Sequence, residues 1–501
     1  RGVTVADYPM GNIISSDSEP VVTHEYRTPV EVITTPKGEK VLDFGQNMVG
    51  REIFTYKGRP GQEIVISHAE VLDENGNFYT VNLRSAKAQS RYICSGGEDR
   101  FEASFTFYGF RYLKVEGLDG EIDPDDFKVA VIFSDLAETG SFSSSNDLVN
   151  QLQSNIQWGL RGNFVDIPTD CPQRDERLGW AGDAQVFFRT ATFNRDVQSF
   201  FRKWLKDVSA DQLPDGQVTD IIPMITGLVG AGHTGWADVA TIVPWQHYMA
   251  YGDKRILENQ FPSMKAWVDF IVSQCSEPYL WNTGWHYGDW LFYSVDNDTS
   301  GVSAVTYKPL IQQCFFANSA DVTAKAAAVL GLKKEAAYYA DVAAKAREAF
   351  CNAYLTPAGY LVSATQTAYV LALNFDMLPE PMRPVVAARL ADKVREYGHI
   401  TTGFLGTPYI CHVLSEWGYT DLAYMLLLRQ QYPGWLYPVT MGATTIWERW
   451  NSMMPDRTIP NNGMNSFNHY SYGAIGDWLY RDAVGLHETS AGFKTMAVKP
   501  H

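Results

Sequence analysis

The sequence predicts an antiparallel β-sandwich followed by a large helical domain of paired helices, and two observations carry that prediction. From about residue 23 to 138 the chain is written in short runs rich in β-branched and aromatic residues, "EVITT", "EIFTYKG", "EIVISHAEVL" and "FEASFTFYGFRYLKVEGL". Turn signals such as "PKGE", "GRPG", "DENGN" and "SGGED" separate them, a spacing that suits short antiparallel strands rather than a parallel sheet. From residue 139 the apolar period changes from two to 3.6, and helical patterns dominate to about residue 486.

The first 22 residues are polar and aperiodic, and read as a linker or the tail of an upstream domain. In the sandwich, Phe101, Ala103, Phe105 and Phe107 alternate with Glu102, Ser104 and Thr106, so one face of that strand is expected to be buried. At "FSSSNDLVNQLQSNIQWGL" Leu148, Leu152, Ile156 and Leu160 share one helical face, with Ser or Asn available as the N-cap. Roughly twelve helical segments follow, a number that fits helix pairs closed into an α/α toroid. Between them run long loops rich in Trp, Gly, Asp and Tyr, including "GAGHTGWADVA" and "NTGWHYGDWLFYSVDNDTSG", and loops of that length usually carry function. The closing stretch, residues 487–501, returns to a β texture and reads as the start of a truncated C-terminal β domain.

Charge narrows the partners. With a net charge of −16 the protein would repel nucleic acid and anionic membrane surfaces, whereas a neutral substrate is compatible. No apolar run approaches the roughly 18–20 residues of a membrane-spanning helix. Six scattered cysteines with no CxxC pair argue against zinc-finger and thioredoxin readings. Because the chain opens on Arg1 rather than Met it reads as a trimmed piece, which leaves cytoplasmic, periplasmic and secreted settings all open.

Two stretches could carry chemistry. "TDCPQRDERLGWAGDAQ", residues 169–185, gathers Asp170, Asp175, Glu176 and Asp183 with Arg174, Arg177, Cys171 and Trp180. A salt-bridged loop is one reading and a Mg²⁺ or Ca²⁺ site another, but Arg174 and Arg177 would repel a cation. The third reading is glycosidic bond cleavage, which needs a protonated carboxyl to protonate the leaving oxygen and a second carboxylate across the sugar. "GATTIWERWNS", residues 442–452, supplies such a candidate in Glu448, set between Trp447 and Trp450. His469 follows in "SFNHYSYGA". There is no HExxH, GxSxG, Walker or strand–helix GxGxxG motif, so zinc-protease, serine-hydrolase, NTPase and dinucleotide readings fail.

Together, "DCPQRDERLGWAGDAQ", "GATTIWERW", "LDFGQNMVG" and "FTFYGFRYLKVEGL", in that family's order, resemble the bacterial α-L-rhamnosidases of glycoside hydrolase family 78. The resemblance spans residues 20–500. It implies a β-sandwich over 23–138, an (α/α)6 barrel catalytic domain over 139–486, and inverting, exo-acting release of terminal α-L-rhamnose from rhamnose-containing glycosides or polysaccharides, without cofactor or metal. Carried onto matching positions, Glu176 is the general acid and Glu448 the general base. Asp170, Arg174 and Asp183 bind rhamnose hydroxyls and hold the acid, Trp180, Trp236 and Trp290 wall the sugar, and His469 binds it. Asp289, in "YGDWL", is added only because it adjoins Trp290. Glu176 is expected to stay protonated near neutral pH, helped by Asp170, Asp175 and Asp183. Two other readings stay in play: a different (α/α)6 inverting enzyme of glucosidase or trehalase type, and a non-catalytic rhamnose-binding protein.

Overall fold

The computed structural model describes residues 3–8, 11–12, 14–225, 230–293, 304–460 and 463–501. Residues 294–301 of the long Trp- and Asp-rich loop lie outside them.

The β region begins with β1 (Val21–Arg27), β2 (Glu31–Thr34), β3 (Lys40–Lys57) and β4 (Glu63–Ala69), then a two-residue pair, β5 (Val71–Leu72) and β6 (Phe78–Tyr79). β7 (Gln89–Ile93), β8 (Glu98–Glu102), β9 (Tyr108–Glu116) and β10 (Phe127–Ser134) complete it. Eight strands make one antiparallel sheet in the order β1-β10-β3-β9-β4-β7, with β2 and β8 also on β3. The motif "LDFGQNMVG" lies within β3, which pairs in turn with β2, β9, β10 and β8. Its register to β9 shifts between Asp43 and Met48, around Gly45 at φ 72°, and the strand bends there, as bulged strands do. Inward residues Leu42, Phe44, Met48, Phe54, Ile64, Ile66, Phe110, Leu113, Val129 and Val131 form one core, joined by Trp158 from the first helix.

One expected strand ends early. β8 stops at Glu102, Phe105 stands fully exposed with φ 59°, and the alternation from Phe101 to Phe107 does not continue. A positive φ on a bulky residue breaks the pleat that alternation requires. Phe107 instead stacks under the Arg177 guanidinium, 5.1 Å from its ring centroid.

The helices are α1 (Asp147–Asn163), α2 (Ala181–Asn194), α3 (Gln198–Asp211), α4 (Val239–Tyr251), α5 (Arg255–Gln274), α6 (Lys308–Leu330) and α7 (Lys333–Tyr354). They continue as α8 (Gln366–Asn374), α9 (Arg383–Tyr397), α10 (Thr407–Glu416), α11 (Thr420–Leu428), α12 (Leu436–Thr440) and α13 (Ile475–Trp478). Asn146 caps α1, its side chain accepting from the N–H groups of Leu148 and Val149, which satisfies donors that a helix start leaves unpaired. Leu152, Ile156 and Leu160 of the expected face are buried.

Packing orders the helices into two layers. α2, α4, α6, α8 and α10 contact one another in succession, and α13 touches both α10 and α2, closing a six-membered ring. α5, α7, α9 and α11 pack outside it against their sequence neighbours. The sequence accounts for the layering. α6 buries residues on nearly every position from Leu310 to Ala327, as an inner helix covered on all sides must. α7 buries only Tyr339, Val342, Ala343, Ala346, Phe350 and Tyr354, the stripe of a helix with one face in solvent. A short hairpin, Leu486–Glu488 with Met496–Val498, follows the ring. All six cysteines are free thiols.

Candidate active site

The loop before α2 is folded by its own polar groups. Asp170 N–H donates to the Leu178 carbonyl at 2.9 Å, and Leu178 N–H donates back to Asp170 Oδ1 at 3.0 Å. Beyond it, Ile222 N–H donates to the Gly179 carbonyl and Ala181 N–H to the Asp220 carbonyl, both at 2.8 Å. That pairing carries Asp220 to the loop, and only glycine allows it, because a Cβ at 179 would run into the Ile222 carbonyl oxygen. Gly179→Ala is therefore expected to destabilise the protein by about 1–3 kcal/mol, read by urea unfolding. Wild-type stability in that variant would mean the pairing is not required. From the sheet side, Gly109 of β9 lets Pro172 approach: an added Cβ there would lie 2.8 Å from the proline ring.

Arg174 organises the centre. Its side chain is fully buried and forks onto Glu448, Nη1 to Oε2 at 2.7 Å and Nη2 to Oε1 at 3.1 Å. The adjacent edge of the same guanidinium holds Glu176 Oε2, at 2.9 Å from Nε and 2.6 Å from Nη2. Asp170 Oδ2 lies 3.7 Å from Nη2. Glu176 and Glu448 are thus brought together across 272 residues by one cation.

The charges follow from this packing. Burial alone would raise the Glu448 carboxyl, but Arg174 and His469 outweigh it and hold it at about 2. Glu448 Oε2 also accepts Ser466 N–H at 2.7 Å. Burial and the neighbouring Glu176 push Asp170 the other way, up to about 7. Burial opposes charge on His469, yet Asp183 and Glu448 lift it to about 9. His469 Nε2 meets Asp183 Oδ1 at 2.7 Å, and Ser471 Oγ donates to the same oxygen at 2.5 Å.

Asp175 turns outward to Ser85, whose hydroxyl donates to it at 2.6 Å, and Asp183 faces His469. Of the three carboxylates expected to help, Asp170 faces Glu176, and it is itself pushed up to about 7 by burial and by that neighbour. Two guanidiniums lie against Glu176, Arg174 and, at 3.2 Å, Arg84.

Aromatic rings gather beside the carboxylates. Tyr287 packs against Trp180 (6.0 Å between ring centroids), Trp236 (4.4 Å) and Trp290 (5.9 Å), so the three expected tryptophans meet around one tyrosine. Tyr287 hydroxyl donates to Asp220 Oδ2 at 2.7 Å, and His233 Nδ1 reaches the same oxygen at 2.6 Å. Trp236 lies flat on Gly182, where an added Cβ would come 2.6 Å from the indole. Trp447 and Trp450, which flank Glu448 in sequence, point away from it. Trp447 packs on Phe467 and Tyr437, and Trp450 stacks on Tyr472 at 4.0 Å.

Asp289 belongs to the scaffold. Its Oδ1 accepts from the N–H groups of Leu405 and Gly406, at 2.8 and 3.1 Å, and its Oδ2 from Gly403 N–H at 2.8 Å and from the Thr367 hydroxyl. Buried and given four donors, it fastens the turn that enters α10, and we assign it no sugar contact.

Asp170, Cys171 and Glu176 offer ligand atoms within 4.8 Å of one another, the only such group of three among the described residues. They fit a metal poorly. Burial raises the Cys171 thiol well above its ordinary range, so it stays protonated, and Arg174 already supplies the cation. EDTA is expected to leave the rate unchanged; a loss that calcium restores would overturn this.

Buried polar atoms near these groups that have no hydrogen-bond partner include Asp170 Oδ2, Asp220 Oδ1, Trp180 Nε1 and His469 Nδ1. Unpaired polar groups in a protein interior are costly, and a mixed set of donors and acceptors suits hydroxyl groups, which both give and take hydrogen bonds. Sequence reasoning missed Arg84, Asp220, His233 and Tyr287. The "GAGHTGWADVA" and "NTGWHYGDW" loops were the available signal for the last two.

The sequence profile of the bacterial α-L-rhamnosidase six-hairpin glycosidase domain matches residues 137–483, and that of the bacterial α-L-rhamnosidase concanavalin-like domain matches residues 33–133. An α-L-rhamnosidase of Streptomyces avermitilis is 41% identical over 475 residues, covering 94% of this chain and 45% of that protein. One from Formosa agariphila is 43% identical, covering 92% of this chain and 50% of its own length. The crystal structure of the Streptomyces avermitilis enzyme complexed with L-rhamnose superposes with a TM-score of 0.93 at 40% identity, over 98% of this chain and 46% of that one. The α-L-rhamnosidase of Aspergillus terreus gives 0.93 at 38% identity, over 99% and 58%. The chain spans about half the length of the curated relatives it matches.

Proposed function

Since the chain belongs to the bacterial α-L-rhamnosidase six-hairpin glycosidase family, we propose that it hydrolyses terminal α-L-rhamnosides by a single inverting displacement. In this reading Glu448 is the general base, Glu176 the general acid, and Asp170, Asp183, Trp180, Trp236, Trp290, Asp220 and His469 surround the sugar. The observation that carries it is the seating of Glu176 and Glu448 on adjacent edges of Arg174.

That seating bears on stereochemistry. Glu176 and Glu448 take separate edges of the Arg174 guanidinium, which favours the wide spacing of an inverting pair, roughly 6.5–9.5 Å, over the 5–5.5 Å of a retaining one. A water between Glu448 and the anomeric carbon can then attack while Glu448 takes its proton. Glu176 protonates the departing oxygen. Asp170, within 4.8 Å of Glu176 and protonated up to about 7, serves as the proton store that recharges it. His469, cationic up to about 9, keeps a free Nδ1–H for a sugar hydroxyl. Rings around Tyr287 offer an apolar wall to the C6 methyl of a 6-deoxy sugar.

Hydrolysis of an aryl α-L-rhamnoside, followed by NMR within the first minutes, tests the mechanism. β-L-Rhamnose is expected first, and initial release of the α-anomer would make Glu448 a nucleophile. Hydrolysis of an aryl α-glucoside in place of the rhamnoside would move the chain to the glucosidase reading. Glu176→Gln is expected to slow natural rhamnosides far more than nitrophenyl rhamnoside, whose leaving group needs little protonation. Equal losses on both would remove Glu176 from the acid role.

A further inference from the structure

The general base is held in place from outside the barrel. Glu448 N–H donates to the Ser466 carbonyl at 2.9 Å, and His469 N–H to the Ile446 carbonyl at 2.8 Å, so the segments carrying base and histidine pair with each other. On the side facing the sheet, this pair is bound by residues of the β region. Gln46 Nε2 donates to the Thr444 carbonyl at 2.8 Å, and Asn47 N–H to Thr444 Oγ1 at 2.9 Å. Asn47 Nδ2 reaches Thr445 Oγ1 at 3.2 Å, and Thr445 Oγ1 donates to the Phe467 carbonyl at 2.5 Å.

Glu70, just beyond β4, completes the arrangement. Its Oε1 accepts from Asn47 Nδ2 at 3.0 Å, and its Oε2 accepts from Asn82 Nδ2 at 2.9 Å and from the backbone N–H of Phe467 at 3.1 Å. The next N–H along, that of Ser466, is the one that holds Glu448 Oε2. Glu70 is 2% exposed, a burial no carboxylate tolerates without such partners. Burial pushes its carboxyl up to about 7 against the pull of Asn47 and Phe467.

We infer that Glu70, with Asn47, is a positioning residue for the general base: it fixes the 466–467 backbone, and through Ser466 N–H the orientation of Glu448. The inference rests on the reading of Glu448 as base. Interdomain adhesion alone would not require that these bonds converge on the two short segments bearing Glu448 and His469. The β region is then a working part of the active centre, acting from a distance on the geometry of water activation. A base displaced by a fraction of an ångström still leaves the sugar subsite formed, so turnover falls while binding persists.

The test compares wild type with Glu70→Ala, Glu70→Gln and Asn82→Ala, using an aryl α-L-rhamnoside for turnover and L-rhamnose calorimetry to count competent sites. Per competent site, kcat of Glu70→Ala is expected to fall about 10- to 100-fold, with rhamnose Kd changed by no more than about threefold. Glu70→Gln, which keeps one acceptor oxygen, recovers part of the loss. Asn82→Ala removes one donor to Glu70 without touching the barrel, and loses about threefold in kcat. Amide hydrogen exchange at Ser466 and Phe467 is expected to rise in Glu70→Ala, a readout that needs no turnover. Wild-type kcat per site, or a loss of rate matched by an equal loss of binding sites, overturns the inference. So does unchanged exchange at Ser466 and Phe467. If Glu70→Ala does not fold, unchanged kcat in Asn82→Ala overturns it. A wild-type protein that releases no rhamnose defeats the parent reading instead, and does so before any variant is made.

Discussion

Glu448→Gln is expected to lower kcat on aryl α-L-rhamnosides about 10³-fold while leaving rhamnose affinity within a few-fold of wild type, a loss in the range of a missing general base. Glutamine keeps the volume, and its oxygen can still accept Ser466 N–H. What it lacks is the charge: Glu448 is held near 2 by Arg174 and His469, so it is ionised at any working pH, as the proposed base must be. The sugar contacts proposed for Asp170, Asp183 and His469 do not pass through Glu448, which is why binding survives. Calorimetry with L-rhamnose and single-turnover kinetics measure the two quantities separately. Undiminished kcat would show that another group activates the water. Binding lost together with turnover would show that Glu448 grips the sugar.

Arg174→Met is expected to cost more in stability than any single change at the site, about 3–5 kcal/mol at neutral pH, because it strands buried carboxylates without their cation. Glu448 loses its forked partner and Glu176 and Asp170 lose their nearest guanidinium. The pH dependence gives the sign. In wild type Glu448 has a folded value of about 2 against an ordinary 4.5, so its contribution is complete above 4.5 and disappears as pH falls through 2. Without Arg174, burial raises the carboxyl instead. The variant should then gain stability relative to wild type on acidification from pH 7 to 4, as its carboxylates protonate. Urea unfolding at the two pH values measures this, and an equal deficit at both would contradict it. Arg174→Lys is expected to recover little, since an ammonium cannot fork onto two carboxylates.

Where sequence reading succeeded, a local pattern controlled the outcome. The helix of Leu152, Ile156 and Leu160 has its cap and its buried face within one stretch, and the change of period at residue 139 separates sheet from helices whatever their packing. The candidate site was legible as two motifs, because Asp170, Arg174, Glu176 and Asp183 sit in one stretch and Glu448 between two tryptophans, and Arg174 brings the two motifs together. What the motifs could not state was direction. Trp447 and Trp450 look like walls for Glu448 and turn away from it, and Asp289 looks like a neighbour of Trp290's site but serves the backbone at 403–406. Nor could they supply partners from elsewhere. Arg84 reaches Glu176 from 92 residues away, and Glu70 reaches Phe467 across 397. Phe105 failed for a different reason, since nothing in an alternating run announces the one residue that takes a positive φ.

The closure of the inner ring sets the order in which the protein can be assembled. α2 carries Asp183 and is sealed by the segment bearing His469, 286 residues later. At synthesis rates of about 5–20 residues per second, a nascent chain exposes the inner face of α2 for roughly 15 to 60 s before its closing partner leaves the ribosome. The sheet, whose strands all precede Asp135, can be complete long before then. During that interval the loop of residues 169–185 has no counter-ligand from the far side of the ring, and Arg174 faces Glu176 without Glu448. The bonds of Arg174 to Glu448 and of Asp183 to His469 are therefore among the last that the growing chain can make.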